Sequence, residues 1–126
     1  MATRKVEKAE WEEFFDLLSK IVLGARAEVE VASLALGVQV QAEWLPLLGI
    51  AYDPKDDIIE IALEGLDHIV HKPREVWVDI GTGGLVSLEV IDADGVQQIV
   101  RLREPLLLPP PQSTPEEAAP REERQR

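Results

Sequence analysis

The stretch Leu85–Leu102, LVSLEVIDADGVQQIVRL, carries the most specific structural signal in the chain. Its two runs, Leu85–Ile91 and Val96–Leu102, are rich in the β-branched and aliphatic residues that strands favour. Between them lies an acidic turn, Asp92–Gly95, with its glycine where a positive φ is needed. The turn looks like the start of a calcium loop, but the chain returns to strand before the further oxygen ligands of such a loop can follow. We therefore predict a β-hairpin.

Further strands are predicted upstream by runs that alternate apolar and polar residues with a period of two. These runs are Ala27–Val31, Val38–Trp44, Ile58–Leu63 and Val76–Ile80. In the second run, Val38, Val40, Ala42 and Trp44 are predicted to share one buried face. Pro46 follows, so we expect a bend or bulge near Leu45–Leu48 before the strand resumes through Tyr52.

An amphipathic helix is predicted from about Glu7 to Leu23, because apolar residues recur there at spacings of three, four and seven. The stripe consists of Trp11, Phe14, Phe15, Leu18, Ile21 and Val22. Acidic residues early in the helix and Lys20 late in it suit the helix dipole, and Gly24 supplies a stop. We interpret the stripe as a core-packing face rather than a partner-binding groove.

The fold class that follows is α+β. We predict an N-terminal amphipathic helix packed on a strongly bent antiparallel sheet, or on a small open barrel, of five to six strands. Residues 1–104 form a single domain in this interpretation. Residues 105–126 form a proline-rich tail, because six of the nine prolines lie between Pro105 and Pro120. From Pro109 onward we predict disorder, and the run Pro109–Pro111 could dock to a partner as polyproline II.

Charge and composition exclude several classes of function. The 126 residues carry a formal net charge of −11 and no cysteine, which removes disulfides, thiolate metal sites and cysteine nucleophiles. The acidic surface would repel phosphate backbones and anionic lipids, so we expect no nucleic-acid and no membrane partner. There is no apolar run near the ~20 residues that a membrane span requires, and no signal peptide precedes the helix. We expect a cytoplasmic protein.

Both histidines lie in a short segment, Leu66–Lys72, that we predict to be a helical turn or irregular structure. A helical turn would place His68 and His71 on one side, as in some zinc sites, with Asp67, Glu64 or Glu75 as further ligands. The simpler interpretation is that the histidines are solvated or structural. Any binding surface is expected around these residues and the tryptophan that follows them. The candidate binding residues are Asp67, His68, His71, Arg74 and Trp77.

Other motifs give no catalytic residue, no cofactor and no resident metal. Gly81–Gly84 is glycine-rich, but no lysine or helix start follows it to receive a phosphate. The serines lie outside any nucleophile-elbow pattern. We therefore interpret Gly81–Gly84 as a turn.

Several stretches together resemble an uncharacterised family of small bacterial proteins, a conserved domain of unknown function. They are Glu10–Phe15, Glu43–Ile50 with Tyr52–Asp53, Leu66–Val70, Pro73–Val78 and Ile91–Gly95. The resemblance covers nearly all of the body and none of the tail. It implies a free-standing bacterial domain and carries no functional residue with it. The order of elements, a helix followed by bent strands, also looks like the Sm-like small barrel, at the level of fold only.

The sequence thus favours a non-catalytic interaction or ligand-binding module that binds a protein partner or self-associates through open strand edges. The alternative is a metal-dependent or acid–base enzyme centred on His68 and His71. A second alternative, an Sm-like RNA-binding protein, is disfavoured by the acidic charge.

Overall fold

The computed structural model describes residues 2–107, which form one α-helix and an antiparallel sheet of eight strands. The helix α1 spans Trp11–Val22 and follows a 3₁₀ turn at Lys8–Glu10. The strands are β1 (Ala2–Val6), β2 (Arg26–Ser33), β3 (Gly37–Asp53), β4 (Ile58–Leu63), β5 (Leu66–His71), β6 (Pro73–Gly81), β7 (Gly84–Asp92) and β8 (Gln97–Leu106). The predicted disorder from Pro109 onward lies outside the described residues.

The α+β class is confirmed, but the predicted count of five to six strands is too low. The strand order is β1-β6-β7-β8-β2-β3-β4-β5. The two unexpected strands, β1 and β5, are the two ends of this sheet. Leu66–His71, predicted as a helical turn or irregular, is β5, because each of its residues pairs with β4 in register from Leu66↔Leu63 to His71↔Ile58. Long-range pairing overrides the weak local preference of so short a segment.

The sheet is strongly bent, as predicted. Only Lys72 separates β5 from β6, although β5 ends the strand order and β6 is second from the other end. A flat sheet would hold β5 and β8 apart by four inter-strand steps, about 19 Å. Instead, His68 Nε2 on β5 lies 2.7 Å from Gln98 Oε1 on β8. Within residues 2–107, the sheet therefore curls back on itself without closing into a continuous barrel.

Helix α1 packs on β3 and contributes four residues to the core. Its buried residues are Trp11, Phe15, Leu18 and Val22, with Phe14 and Ile21 packed partly buried beside them. The predicted stripe is thus the core face, as interpreted from its spacing. The indole of Trp11 donates to the carbonyl oxygen of Val6 at 2.9 Å and meets Tyr52 edge-on at 5.1 Å between ring centroids, so the helix start is fixed to β1 and β3.

Strand β3 contains two irregularities, and one of them changes which residues are buried. Val29 of β2 pairs with Ala42 and Glu30 pairs with Val40, so Gln41 is an extra residue in β3. Such a bulge reverses the alternation of faces. Ala42 is buried, whereas Val38 and Val40 are exposed. The prediction that these valines face the core with Ala42 is therefore wrong.

The second irregularity accommodates the bend predicted around Pro46. The pairing of β2 with β3 shifts between Val29 and Ala27, at the point where Trp44 adopts a φ of 54°. In the same part of β3, the pairing with β4 also shifts, between Leu47 and Gly49. The bend therefore includes Trp44 as well as the predicted segment Leu45–Leu48.

The C-terminal hairpin forms as predicted from the sequence. Asp92 Oδ1 accepts hydrogen bonds from the N–H groups of Asp94 and Val96 at 2.9 and 3.0 Å, and Gly95 has a φ of 81°. Strand β8 runs on to Leu106, where it pairs with Leu85, so regular structure continues two residues past the predicted boundary at Glu104.

Candidate functional site

The histidine-bearing segment on β5 does not gather its polar side chains in one place. His68 is half-buried and its ring contacts Gln98, whereas Asp67 and His71 are exposed. Successive side chains of a strand point to opposite faces, so residues 68 and 71 point to opposite sides. The spacing of three that suited a metal site on a helical turn therefore places these two imidazoles apart.

Asp67 meets another carboxylate instead of a histidine. Its side chain is close to that of Glu60 on β4, and the hydrogen bond between the two carboxyl groups, together with their like charge, raises the pKa of Glu60. Two adjacent carboxyl groups are more stable when they share one proton than when both carry a negative charge. This pair is a local acidic contact on the outside of the β4–β5 hairpin.

Arg74 and Trp77 lie on β6, beyond the sharp corner at Lys72. Arg74 is exposed at a shift in the β6–β7 register, and Trp77 is half-buried on the outer face of the sheet. The indole N–H of Trp77 donates to Glu75 Oε1 at 2.9 Å, and Lys5 Nζ lies 5.9 Å from the ring centroid. Trp77 is thus held by its immediate neighbours in β6 and β1.

No cluster of three or more His, Asp or Glu side chains within residues 2–107 is arranged to hold a metal ion. Of the five candidate residues, the structure connects only His68 to a buried polar group. That group is Gln98, which is 5% exposed and donates through Nε2 to Asp92 Oδ2 at 3.2 Å. The chain His68–Gln98–Asp92 joins β5 to the β7–β8 turn, so it acts as a polar seam across the opening of the bent sheet.

A different region combines exposure, apolar character and an unpaired backbone edge. We call Val31–Ala42 the neutral hairpin, because its twelve residues carry no charged side chain in a chain with a net charge of −11. It contains the end of β2, the turn and the start of β3. Half of the large apolar side chains exposed in residues 2–107 belong to it, namely Leu34, Leu36, Val38 and Val40.

The neutral hairpin also exposes a free strand edge. Residues Gly37–Ala42 of β3 pair with β2 on one side, and the pairing of β3 with β4 begins only at Leu47. Within the described residues, the other side of Gly37–Ala42 therefore faces no strand. The outer edges of the sheet, β1 and β5, differ from it because they carry Arg4, Lys5 and Asp67.

The sequence does not predict this edge, because alternating valines are typical of a half-buried face. One signal was present, namely the long run without charge. Strands that cover a core normally show charge on their solvent side, as Glu28 and Glu30 do in β2. The run Val31–Ala42 lacks such residues although most of its second half is exposed to solvent.

Comparison with known proteins agrees with the resemblance read from the sequence. A family described as a family of unknown function, DUF5335, matches residues 2–111. The chain is also 40% identical over 110 residues to an "Uncharacterized protein" of Aquifex aeolicus (strain VF5), covering 86% of this chain and 99% of that protein. The family match extends into the predicted tail, which the resemblance had left out.

No solved structure matches the chain, and the likeness to Sm-like small barrels is not confirmed. Within residues 2–107, no helix has both the length and the apolar character that crossing a membrane requires. The family match and the shared identity nevertheless cover most of the chain. This protein belongs to the DUF5335 family, a family of unknown function.

Proposed function

We propose that this domain is a non-catalytic protein-interaction module that binds an extended segment by adding a strand to the free edge of the neutral hairpin. The observation that carries the proposal is the unpaired side of Gly37–Ala42. A free edge offers a row of backbone donors and acceptors, which is how domains that bind peptides by strand addition gain their affinity.

The side chains of this edge favour binding rather than protection. Natural proteins guard free edges with lysine, proline, inward-pointing charge or bulges, and Gly37–Val40, which precedes the bulge at Gln41, contains none of these. Val38, which is 65% exposed, and Val40, which is 50% exposed, project from the same face. An added strand would cover both valines and lengthen the sheet beyond β3.

The charge of the protein restricts which kind of extended segment can bind at this edge. A cationic partner would be drawn to the acidic surface of this chain, but the neutral hairpin offers such a segment no counter-charge. The edge suits an extended segment without charge in which apolar and polar residues alternate, because such a strand places its apolar side chains beside Val38 and Val40.

A library of random heptapeptides displayed on phage, panned against the immobilised domain, tests this proposal. We expect enrichment of uncharged alternating sequences that bind the wild type and lose binding to Val38→Lys. The matched control is Leu23→Lys, because Leu23 is 71% exposed and lies outside the hairpin. Peptides that bind all three proteins equally, or a panning without enrichment, would contradict strand addition at this edge.

A further inference from the structure

We propose that the segment bound at this edge is the same edge of a second copy, so that two domains pair Gly37–Gln41 antiparallel across a two-fold axis at Gln39. This inference rests on the proposed function and names its partner. It predicts a dimer in which two eight-stranded sheets join into one continuous sheet.

Symmetry limits how two identical strands can pair. A two-fold axis normal to the sheet keeps each side chain on its own face. The axis must therefore pass midway between one residue and the same residue of the other copy. Three positions, Val38, Gln39 and Val40, are available in the regular part of β3 before the bulge at Gln41. An axis at Gln39 places each Val38 opposite the Val40 of the other copy, which pairs all four valines. Within the regular strand, Gly37–Val40, an axis at either valine pairs only that valine with its own copy.

The edge itself has the pattern of the segment that it suits, since Val38–Gln41 is uncharged and alternates apolar with polar residues. Two molecules with a net charge of −11 repel each other over most of their surfaces. The neutral hairpin adds no charge of its own to this repulsion, and its nearest flanking charges along the chain are Glu30 and Glu43.

The two faces of the shared sheet would differ in chemistry. Val38 and Val40 lie on the outer face together with Glu30 and Ala32, to which they are paired. Gln39 lies on the other face, opposite Val31. In the dimer the valines form a four-residue apolar cluster on one face, and the two Gln39 side chains meet on the other, where their amides can bond to each other.

Because the natural chain has no cysteine, single cysteines report the register directly. Residues facing each other in an antiparallel pair have Cα atoms about 4.5–5.5 Å apart, within disulfide reach. We expect Gln39→Cys to form a covalent dimer rapidly on mild oxidation of the full chain. Val38→Cys and Gln41→Cys are the controls, because Val38 would lie two residues and Gln41 four residues out of register with its own copy, each more than about 7 Å away.

Sedimentation of the unmodified chain over a range of concentrations provides the second measurement. We expect a monomer–dimer equilibrium that Val38→Lys weakens about tenfold, since two apolar cross-strand pairs are lost, while Leu23→Lys leaves it unchanged. Adding Val40→Glu to Val38→Lys should restore dimerisation, because each introduced lysine then faces an introduced glutamate.

A wild-type chain that sediments as a monomer at all concentrations would overturn the second-copy proposal, and so would equal crosslinking at all three cysteine positions. The peptide panning separates this failure from that of the proposed function. Enriched peptides that depend on Val38, found with a monomeric wild type, would retain strand addition and reject self-pairing.

Discussion

The hydroxyl of Ser19 bonds to both backbone groups of Ile50, accepting from its N–H at 2.8 Å and donating to its carbonyl oxygen at 2.5 Å. Ile50 lies in the second half of β3, which pairs with β4 on one side. On the other side β2 has already ended its pairing at Pro46. A single helix side chain thus replaces the missing strand, so α1 closes one open edge of β3, whereas no strand among residues 2–107 covers the edge at the neutral hairpin.

Replacing Ser19 should therefore lower the free energy of unfolding more than removing a solvent-exposed hydroxyl does. We expect Ser19→Ala to lower the free energy of unfolding by about 2 kcal/mol, because it leaves a buried donor and acceptor of Ile50 without partners. Thermal unfolding should show a decrease of about 10 °C in Tm. Ser87→Ala, on the outer face of β7, should change Tm little. A small and equal effect of both changes would show that the bridge does not stabilise the edge.

Two turn glycines with positive φ should respond very differently to alanine. At Gly84 (φ 121°) an added Cβ would lie 2.3 Å from the carbonyl oxygen of Leu106, whereas at Gly95 (φ 81°) it would meet nothing within 4 Å. Gly84→Ala combines backbone strain with a clash and should cost about 3 kcal/mol. Gly95→Ala should cost about 1 kcal/mol, the strain alone. Urea unfolding of both variants measures the difference, and equal losses would contradict the close approach of β7 to β8.

The contact between His68 and Gln98 should appear as an energetic coupling between distant strands. Gln98→Leu and His68→Leu each leave a partly buried polar group unpaired and should each cost about 1–2 kcal/mol. The double variant should lose less free energy of unfolding than the two single variants lose together. Urea unfolding should show a coupling of about 1 kcal/mol. Additive losses would mean that the polar seam does not hold β5 against β8.

Neutralising Glu60 beside Asp67 should raise the free energy of unfolding by an amount that depends on pH. The pKa of Glu60 is raised by its hydrogen bond to Asp67 and by the negative charge there. The folded chain therefore holds this proton more tightly than the unfolded chain does, and stability falls as the pH rises through the raised pKa. At pH 7 we expect Glu60→Gln to stabilise the fold by about 0.5 kcal/mol, the size of a like-charge cross-strand contact.

That gain should shrink as the pH is lowered towards 4, because Glu60 then becomes protonated in the wild type. Thermal unfolding at the two pH values measures it, with Glu64→Gln in the exposed β4–β5 turn as the control. A gain that is independent of pH, or shared by the control, would rule out repulsion within this pair as its cause.

Much of the fold was predictable because its signals are local. The stripe from Trp11 to Val22 needs only helical spacing, and the turn Asp92–Gly95 needs only the chemistry of Asp and Gly. Strand β5 was not predictable in this way. Its six residues, LDHIVH, show no clear alternation, and they are extended because β4 pairs with every one of them.

The candidate site depended even more on long-range structure. The five predicted residues are close in sequence, but the corner at Lys72 and the alternation within β5 direct them to different surfaces. The neutral hairpin is the converse case. Its valines alternate as buried residues do, and the single extra residue Gln41 turns them outward.

The sequence by itself therefore determined the helix, most of the strands, the C-terminal hairpin and the absence of charge between Val31 and Ala42. Composition and short-range periodicity fix these features before any distant contact forms. Only the tertiary structure decided which edges of the sheet are covered. That outcome depends on where β2 stops pairing with β3, where β4 begins, and how Ser19 meets Ile50 between them. Register is a property of paired strands, so no single segment of the chain encodes it alone.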